Sequence, residues 1–320
     1  MSLSPIQSGK IPLEPPAPAR HEPHLRRSLW AAQARWAPYL FILPFLAVFI
    51  CFMLYPLGRS LALSFEKTSG AGPSYAVGWE NYRYLVKDKL FWFACGNTIF
   101  FAVLFLPIEL VVSLGLALVL NSRHVRFRNF FRFAFFSTYL IGQVFLALLA
   151  HFMLAPRHGL VNQLIGMVFP NVDTAIKWNG IPNLAMPIIV LASVWVSAGY
   201  AMIYWLAALQ AVDRELYDAA NVDGAGRWAR FRHVTLPGIR PILVFLLLVG
   251  TIASLQLFEL PYVFFQGAGP GYRALTIVEY LYANGVLAGD LGFASAVGWV
   301  LLLLILGVTL MQIRVTRATR

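Results

Sequence analysis

The chain has 320 residues, of which 59% are hydrophobic and 12% charged. An ordinary soluble domain carries charge on about a quarter of its residues, so this composition excludes one and asks for an apolar solvent. The formal net charge of +11 raises nucleic acid as a partner. The basic residues are spread among separate loops instead of forming one patch, so no nucleic-acid surface is expected.

In chain order, residues 1–36 hold Pro5, Pro12, Pro15, Pro16, Pro18 and Pro23 with few apolar runs, and read as a disordered, proline-rich arm. His21 and His24 bracket Glu22 without the helix and spacing of a zinc site, so no metal is expected. The apolar run 37–58 is longer than a signal-peptide core and lacks a small-residue cleavage site; it is expected to stay as a membrane helix. A spanning helix needs about 20 apolar residues, which places spans near 37–58, 92–120, 133–155, 185–209, 240–262 and 292–313. The expected fold is an all-α polytopic membrane protein with six transmembrane helices over 37–313 and a short tail, 314–320. Pro44, Pro56, Pro107 and Pro187 fall in or near the spans, where neighbouring helices can satisfy the freed carbonyls. Cys51 and Cys95 both sit in apolar runs and read as core residues rather than a disulfide.

An even number of spans puts both termini on one side. Seventeen of the 25 basic residues fall there: Lys10, Arg20, Arg26, Arg27 and Arg35; Arg123, Arg126, Arg128 and Arg132; Arg214, Arg227, Arg230, Arg232 and Arg240; Arg314, Arg317 and Arg320. The positive-inside rule makes that side the cytoplasm. The loops near 59–91, 156–184 and 263–291 are then external, with Trp79, Tyr82, Tyr84, Trp92 and Trp178 as interface anchors.

The cytoplasmic loop 211–240 is the most patterned stretch. Asp213 can cap a first short helix, whose Leu216, Ala219 and Ala220 share an apolar face. Gly224 suits a left-handed bend. Asp223 can cap a second helix carrying Trp228 and Phe231 three residues apart, and Pro237 is expected to stop that helix at the next membrane entry. Such a helical knob with two aromatic side chains suits a groove in a partner.

Asp218, Ala219, Ala220, Asp223, Gly224, Ala225, Phe231 and Pro237 resemble the EAA loop of binding-protein-dependent ABC importers, with Asp218 standing where the pattern has Glu. Asn81-Tyr82, and Phe91-Trp92 through Asn97-Thr98, resemble the second-span entry of carbohydrate-type permeases. The turn at 267–271 is similar to their Gly-Gly-Pro turn, with Ala268 replacing one glycine. The resemblance covers about 37–313 and implies the type I importer permease fold. It also implies a bacterial cytoplasmic membrane location and four further partners: a homologous second permease, two ATP-binding subunits and an extracytoplasmic solute-binding protein. The coupling residues it implies are Asp218, Ala219, Ala220, Asp223, Gly224, Ala225, Trp228, Phe231 and Pro237.

The chain has no Gly-x-x-x-x-Gly-Lys-Ser/Thr, so ATP and Mg²⁺ are expected on the ATPase partners and no cofactor on this chain. Neither His-Glu-x-x-His nor Gly-x-Ser-x-Gly occurs, so it is not expected to be an enzyme. Polar residues inside spans are expensive in lipid and mark a path or a helix contact. Ser193, Ser197, Tyr200 and Tyr204 share one helical face. Thr251, Glu259, Tyr262 and Gln266 are expected to share another. A sugar path would use Glu259 and Gln256 for hydroxyls and Tyr200, Tyr204 and Tyr262 for the ring face. Glu109, beside Pro107 in the second span, receives no role. The expected function is permease subunit of an ATP-driven importer of a sugar or sugar-like solute; the alternatives are an ABC importer of a non-sugar solute and a secondary transporter of a small polar one.

Overall fold

The computed structural model describes residues 24–70, 72–122, 125–169 and 175–318. Of the arm expected over 1–36, residues 1–23 lie outside the described residues. The helix α1, His24–Phe49, takes in the rest, because Leu25, Arg26, Arg27, Ala31, Ala32 and Ala34 are strong helix formers. A π turn, Ile50–Leu54, carries it into α2, Tyr55–Leu63. The apolar part, Ala37–Leu63, is 27 residues long, enough to cross a bilayer core about 30 Å thick at about 1.5 Å per residue.

The chain divides into two compact units at residue 58. The second opens with a two-stranded antiparallel ribbon, β1 Glu66–Lys67 and β2 Tyr75–Ala76, and the short helix α3, Glu80–Lys87. The long helix α4, Lys89–Asn121, follows, its first turn capped by Asp88, whose side chain accepts from the Leu90 amide. Later come α5 Arg128–Tyr139, α6 Gln143–Met153, α7 Leu160–Val168 and α8 Ala185–Ala211. The remainder is α9 Arg214–Val222, α10 Arg227–Arg230, α11 Leu236–Leu255, α12 Glu259–Phe265, α13 Ile277–Tyr282 and α14 Leu291–Ala318. The tail expected over 314–320 is thus helical through Ala318.

The core runs along α4 and α8. Phe101 and Phe105 stack with centroids 5.1 Å apart and pack with Ile189, Val190, Leu260 and Phe264. Further along, Trp205 is fully buried among Ala117, Met202 and Ile239; its indole N–H is satisfied by Ser113 Oγ at 3.0 Å, as burial of that group requires. Helices α5 and α8 cross at Gly199, where a Cβ would lie 1.9 Å from the Phe135 carbonyl oxygen. Only glycine allows that approach, the usual small-residue device of membrane helix contacts.

Among the described residues, five helices are long and apolar enough to span a membrane, and the bent pair α5–α6 makes up to six. Two of the expected spans are broken. The third, expected as one helix over 133–155, turns by 95° between α5 and α6. Ser137 and Thr138 donate their hydroxyls to the Ala134 and Phe135 carbonyls, occupying the acceptors of the last turn, and Gly142 opens α6. The fifth, expected over 240–262, ends at Leu255. Thr251 and Ser254 bond back to the Leu247 and Thr251 carbonyls, and Phe258, at φ −145°, restarts the chain as α12.

Candidate functional site

The loop 211–240 folds as a knob. Asp213 caps α9 by accepting from the Glu215 amide at 3.0 Å. Gly224 then turns the chain at φ +71° with open space around its Cα. Its requirement is therefore conformational and not steric: L-residues reach this region only at a cost of about 1–2 kcal/mol. The Gly224 and Ala225 amides close the bend on the Asn221 and Ala220 carbonyls. The second helix is capped otherwise than expected. Gly226 is its N-cap with no side-chain bond, while Asp223 is the C-cap of α9. Trp228 and Phe231 stack at 5.6 Å, and the Arg230 guanidinium donates to Asn221 Oδ1 across the bend. Leu216, Val222 and Trp228 are left exposed, Val222 at 89%, so the knob does not bury its own apolar face. Asp218, Ala219 and Asp223 are exposed on the same projection, and Ala220 and Ala225 are half-buried beneath it.

Pro237 does not stop the helix. A π turn, Phe231–Thr235, precedes α11, and the Leu236 amide reaches back to the Phe231 carbonyl. The widened turn absorbs the missing proline N–H, so Arg227–Leu255 runs as one apolar helix of 29 residues. The base of the knob is pinned twice. Tyr217 and Thr235 hydroxyls bond at 3.0 Å, and a Cβ on Gly238 would come 2.7 Å from Val212 Cγ2.

Among the transmembrane helices lies a cavity of about 220 Å³. Its wall takes residues from α4, α5, α6, α8, α11 and α12, with Tyr139 and Gln143 at one helix break and Leu257 at the other. Irregular backbone at membrane depth is tolerated where it lines such a space. Tyr200 stacks on Tyr139 at 4.5 Å and donates its hydroxyl to Tyr204 at 3.0 Å. Ser193 and Ser197 line the same wall, and the Ser197 hydroxyl is bonded to the Ser193 carbonyl. Glu109, left without a role by sequence reasoning, is 6% exposed and faces this cavity.

The five residues expected on one path do not meet. Tyr200 lines the cavity and Tyr204 bonds to it, but Gln256, Glu259 and Tyr262 are absent from its described wall. Gln256 and Glu259 are exposed, and Tyr262 packs with Phe258 at 5.2 Å and Tyr282 at 5.2 Å. The break after Leu255 resets the helical phase, so Thr251 no longer shares a face with Glu259. Thr251 instead accepts from Gln312 of α14 at 2.7 Å, a helix-to-helix contact.

The 267–271 turn also has its anchors. Gly269 and Gly271 take φ +69° and +59°. Asn97 donates to the Tyr272 and Leu275 carbonyls at 2.8 and 3.0 Å, and Thr98 Oγ1 accepts from the Ile277 amide at 3.1 Å. The Asn97-Thr98 pair therefore ties the 267–271 turn to α4. Of the expected anchors, Trp79 packs on Phe65 and Tyr82, and Trp178 bonds to Asn162.

A bundle of spanning helices around a polar-lined cavity, with an exposed helical knob continuous with one wall helix, defines a membrane permease. The family model of the binding-protein-dependent transport system inner membrane component matches residues 98–320, and the chain belongs to that family. It is 33% identical over 319 residues to the arabinooligosaccharides transport system permease protein AraP of Bacillus subtilis (strain 168), covering 98% of each chain. A solved bacterial ABC transporter involved in import of the acidic polysaccharide alginate matches 91% of this chain and 99% of its own, with TM-score 0.79 and 26% identity. The alginate transporter in complex with an alginate pentasaccharide-bound periplasmic protein matches 91% of this chain and 98% of its own, with TM-score 0.78 and 25% identity.

Proposed function

We propose that this chain is the subunit of a sugar-importing ABC transporter that both walls the path and receives the force of ATP binding. The observation that carries the reading is the unbroken helix Arg227–Leu255. One end holds Trp228 in the exposed knob and the other holds Leu246, Val249, Gly250 and Ala253 in the cavity wall. Movement of the knob therefore moves the wall. The knob docks in a groove of an ATP-binding subunit on the cytoplasmic side, the side that carries the excess of basic residues. ATP and Mg²⁺ sit on two such subunits, a second permease completes the path, and a solute-binding protein delivers the substrate from outside. The complex formed by the alginate transporter with a periplasmic protein supports the last partner. The names of the relatives, which concern arabinooligosaccharides and alginate, support a sugar. The chain itself catalyses no reaction.

Gly224 tests this reading. A β-branched side chain is poorly accommodated at φ +71°, whereas Gly226, at φ −67° with open space around it, accepts a methyl group. In the complete complex reconstituted in liposomes, Gly224→Val should cut sugar uptake about tenfold or more. It should also uncouple ATP hydrolysis from the loaded binding protein, while Gly226→Ala transports normally. Wild-type uptake by Gly224→Val would refute the coupling role.

A further inference from the structure

The polar groups of the cavity wall are in two conditions. Ser197, Ser254 and Tyr200 already donate their hydroxyls within the protein, to the Ser193 carbonyl, the Thr251 carbonyl and the Tyr204 hydroxyl. Glu109, Tyr139, Gln143 and Ser193 line the same space, and their side chains have no hydrogen-bond partner among the described residues. Tyr139 and Gln143 are exposed and Ser193 is half-buried, so water can serve them. Glu109 is different: it is 6% exposed, and a polar group so buried is normally hydrogen-bonded. No cation stands beside it in the described wall, so burial favours the neutral carboxylic acid over the carboxylate. In that form the group holds one donor, its O–H, and one acceptor, its carbonyl oxygen, side by side. Two adjacent hydroxyls of a sugar ring offer the matching pair, one oxygen to accept and one O–H to donate.

We infer that Glu109, as a neutral carboxylic acid, is a solute-binding residue of this cavity: it pairs with two adjacent hydroxyls of the transported sugar, donating to one and accepting from the other. On the sugar-importer reading, on which this rests, it adds the feature recognised, a vicinal diol. The solute gives the buried carboxyl the partners that the protein withholds, so binding removes an unsatisfied group as well as forming two hydrogen bonds. Tyr139, Gln143 and Ser193 offer further hydrogen bonds from the same wall.

Two substitutions isolate the pairing. Glu109→Gln keeps a donor and an acceptor side by side, while Glu109→Met keeps the length and loses both. Binding of radiolabelled maltose, lactose and arabinobiose is measured by equilibrium dialysis on the purified complex of both permeases and both ATPase subunits. The solute-binding protein is left out so that its own selectivity does not enter. At least one of the three sugars should bind. For that sugar, Glu109→Gln should hold the affinity within about threefold and Glu109→Met should weaken it about tenfold or more, with both variants eluting as intact complexes. The infrared difference spectrum recorded on adding the sugar to the wild-type complex should show the carbonyl stretch of a carboxylic acid shifting, a change lost in Glu109→Gln.

Wild-type affinity in Glu109→Met would remove Glu109 from the site and leave the sugar reading standing. Glu109→Gln as weak as Glu109→Met would show that a charged carboxylate is needed and overturn the pairing. Absence of the carboxylic acid shift would overturn it too, whether or not Glu109→Met assembles. If the intact complex binds none of the three sugars, the assignment falls; if it then imports a non-sugar solute, the sugar reading falls with it.

Discussion

At the scale of single residues, the informative groups are buried polar ones. Glu279, in the connection between α12 and α14, is 3% exposed, and its Oε2 is buried with no hydrogen-bond partner among the described residues. Burial pushes its carboxyl up to about 7, against about 4.3 for an unperturbed glutamate. The native state therefore holds this proton more tightly than the unfolded chain does, so stability falls as pH rises from about 4.5 to about 7 and levels off above. Glu279→Gln should flatten that part of the profile and raise the melting temperature at pH 8 by several degrees, with little change at pH 4.5. A differential scanning fluorimetry series in detergent across that range checks it; equal profiles for both proteins would contradict the assignment.

At the scale of elements, the 267–271 turn depends on Asn97. Its amide holds two carbonyls of the turn, and leaving a buried acceptor unsatisfied costs about 1–3 kcal/mol. Asn97→Ala should lower the melting temperature by several degrees and speed proteolysis near 267–271, whereas Gly96→Ala, at a position with open space, should change neither. The six apolar runs were legible in the sequence because length and hydropathy decide membrane crossing. The breaks inside two of them were not. Ser137, Thr138, Thr251 and Ser254 bond back to carbonyls at the breaks, but Thr98, Ser113 and Ser197 do the same inside the unbroken α4 and α8, so such residues in a sequence do not mark a break. The phase reset after Leu255 also explains why Glu259 and Tyr262 do not lie beside Tyr200. The knob was legible because its residues stand in fixed register, and Gly224 takes the left-handed bend expected of it. The cap of its second helix, Gly226 and not Asp223, was not legible, since both residues precede that helix and only geometry separates them. Glu109 could not be placed from sequence, because a lone carboxylate in a span gives no sign of which way it faces.

At the scale of the whole molecule, the proposed orientation rests on the distribution of charge. With Cys51 and Cys95 both replaced by alanine, a cysteine at Gly226 should resist an impermeant maleimide added to intact cells and react after lysis, while one at Gly267 should react in intact cells. The opposite pattern would place the knob outside and leave it no ATPase to meet.

The central claim is that the knob and the cavity wall move as one helix. Ala253 is exposed in that wall and lies on the helix that begins at Arg227. A nitroxide attached to Ala253→Cys in the cysteine-free complex, followed by electron paramagnetic resonance, reports the wall while ATP binds at the far end. The spectrum should shift on adding ATP and loaded binding protein to the otherwise wild-type complex, and should stay still when Gly224→Val is present in the same chain. An equal shift in both complexes, or no shift in a complex that imports its sugar, would contradict the claim.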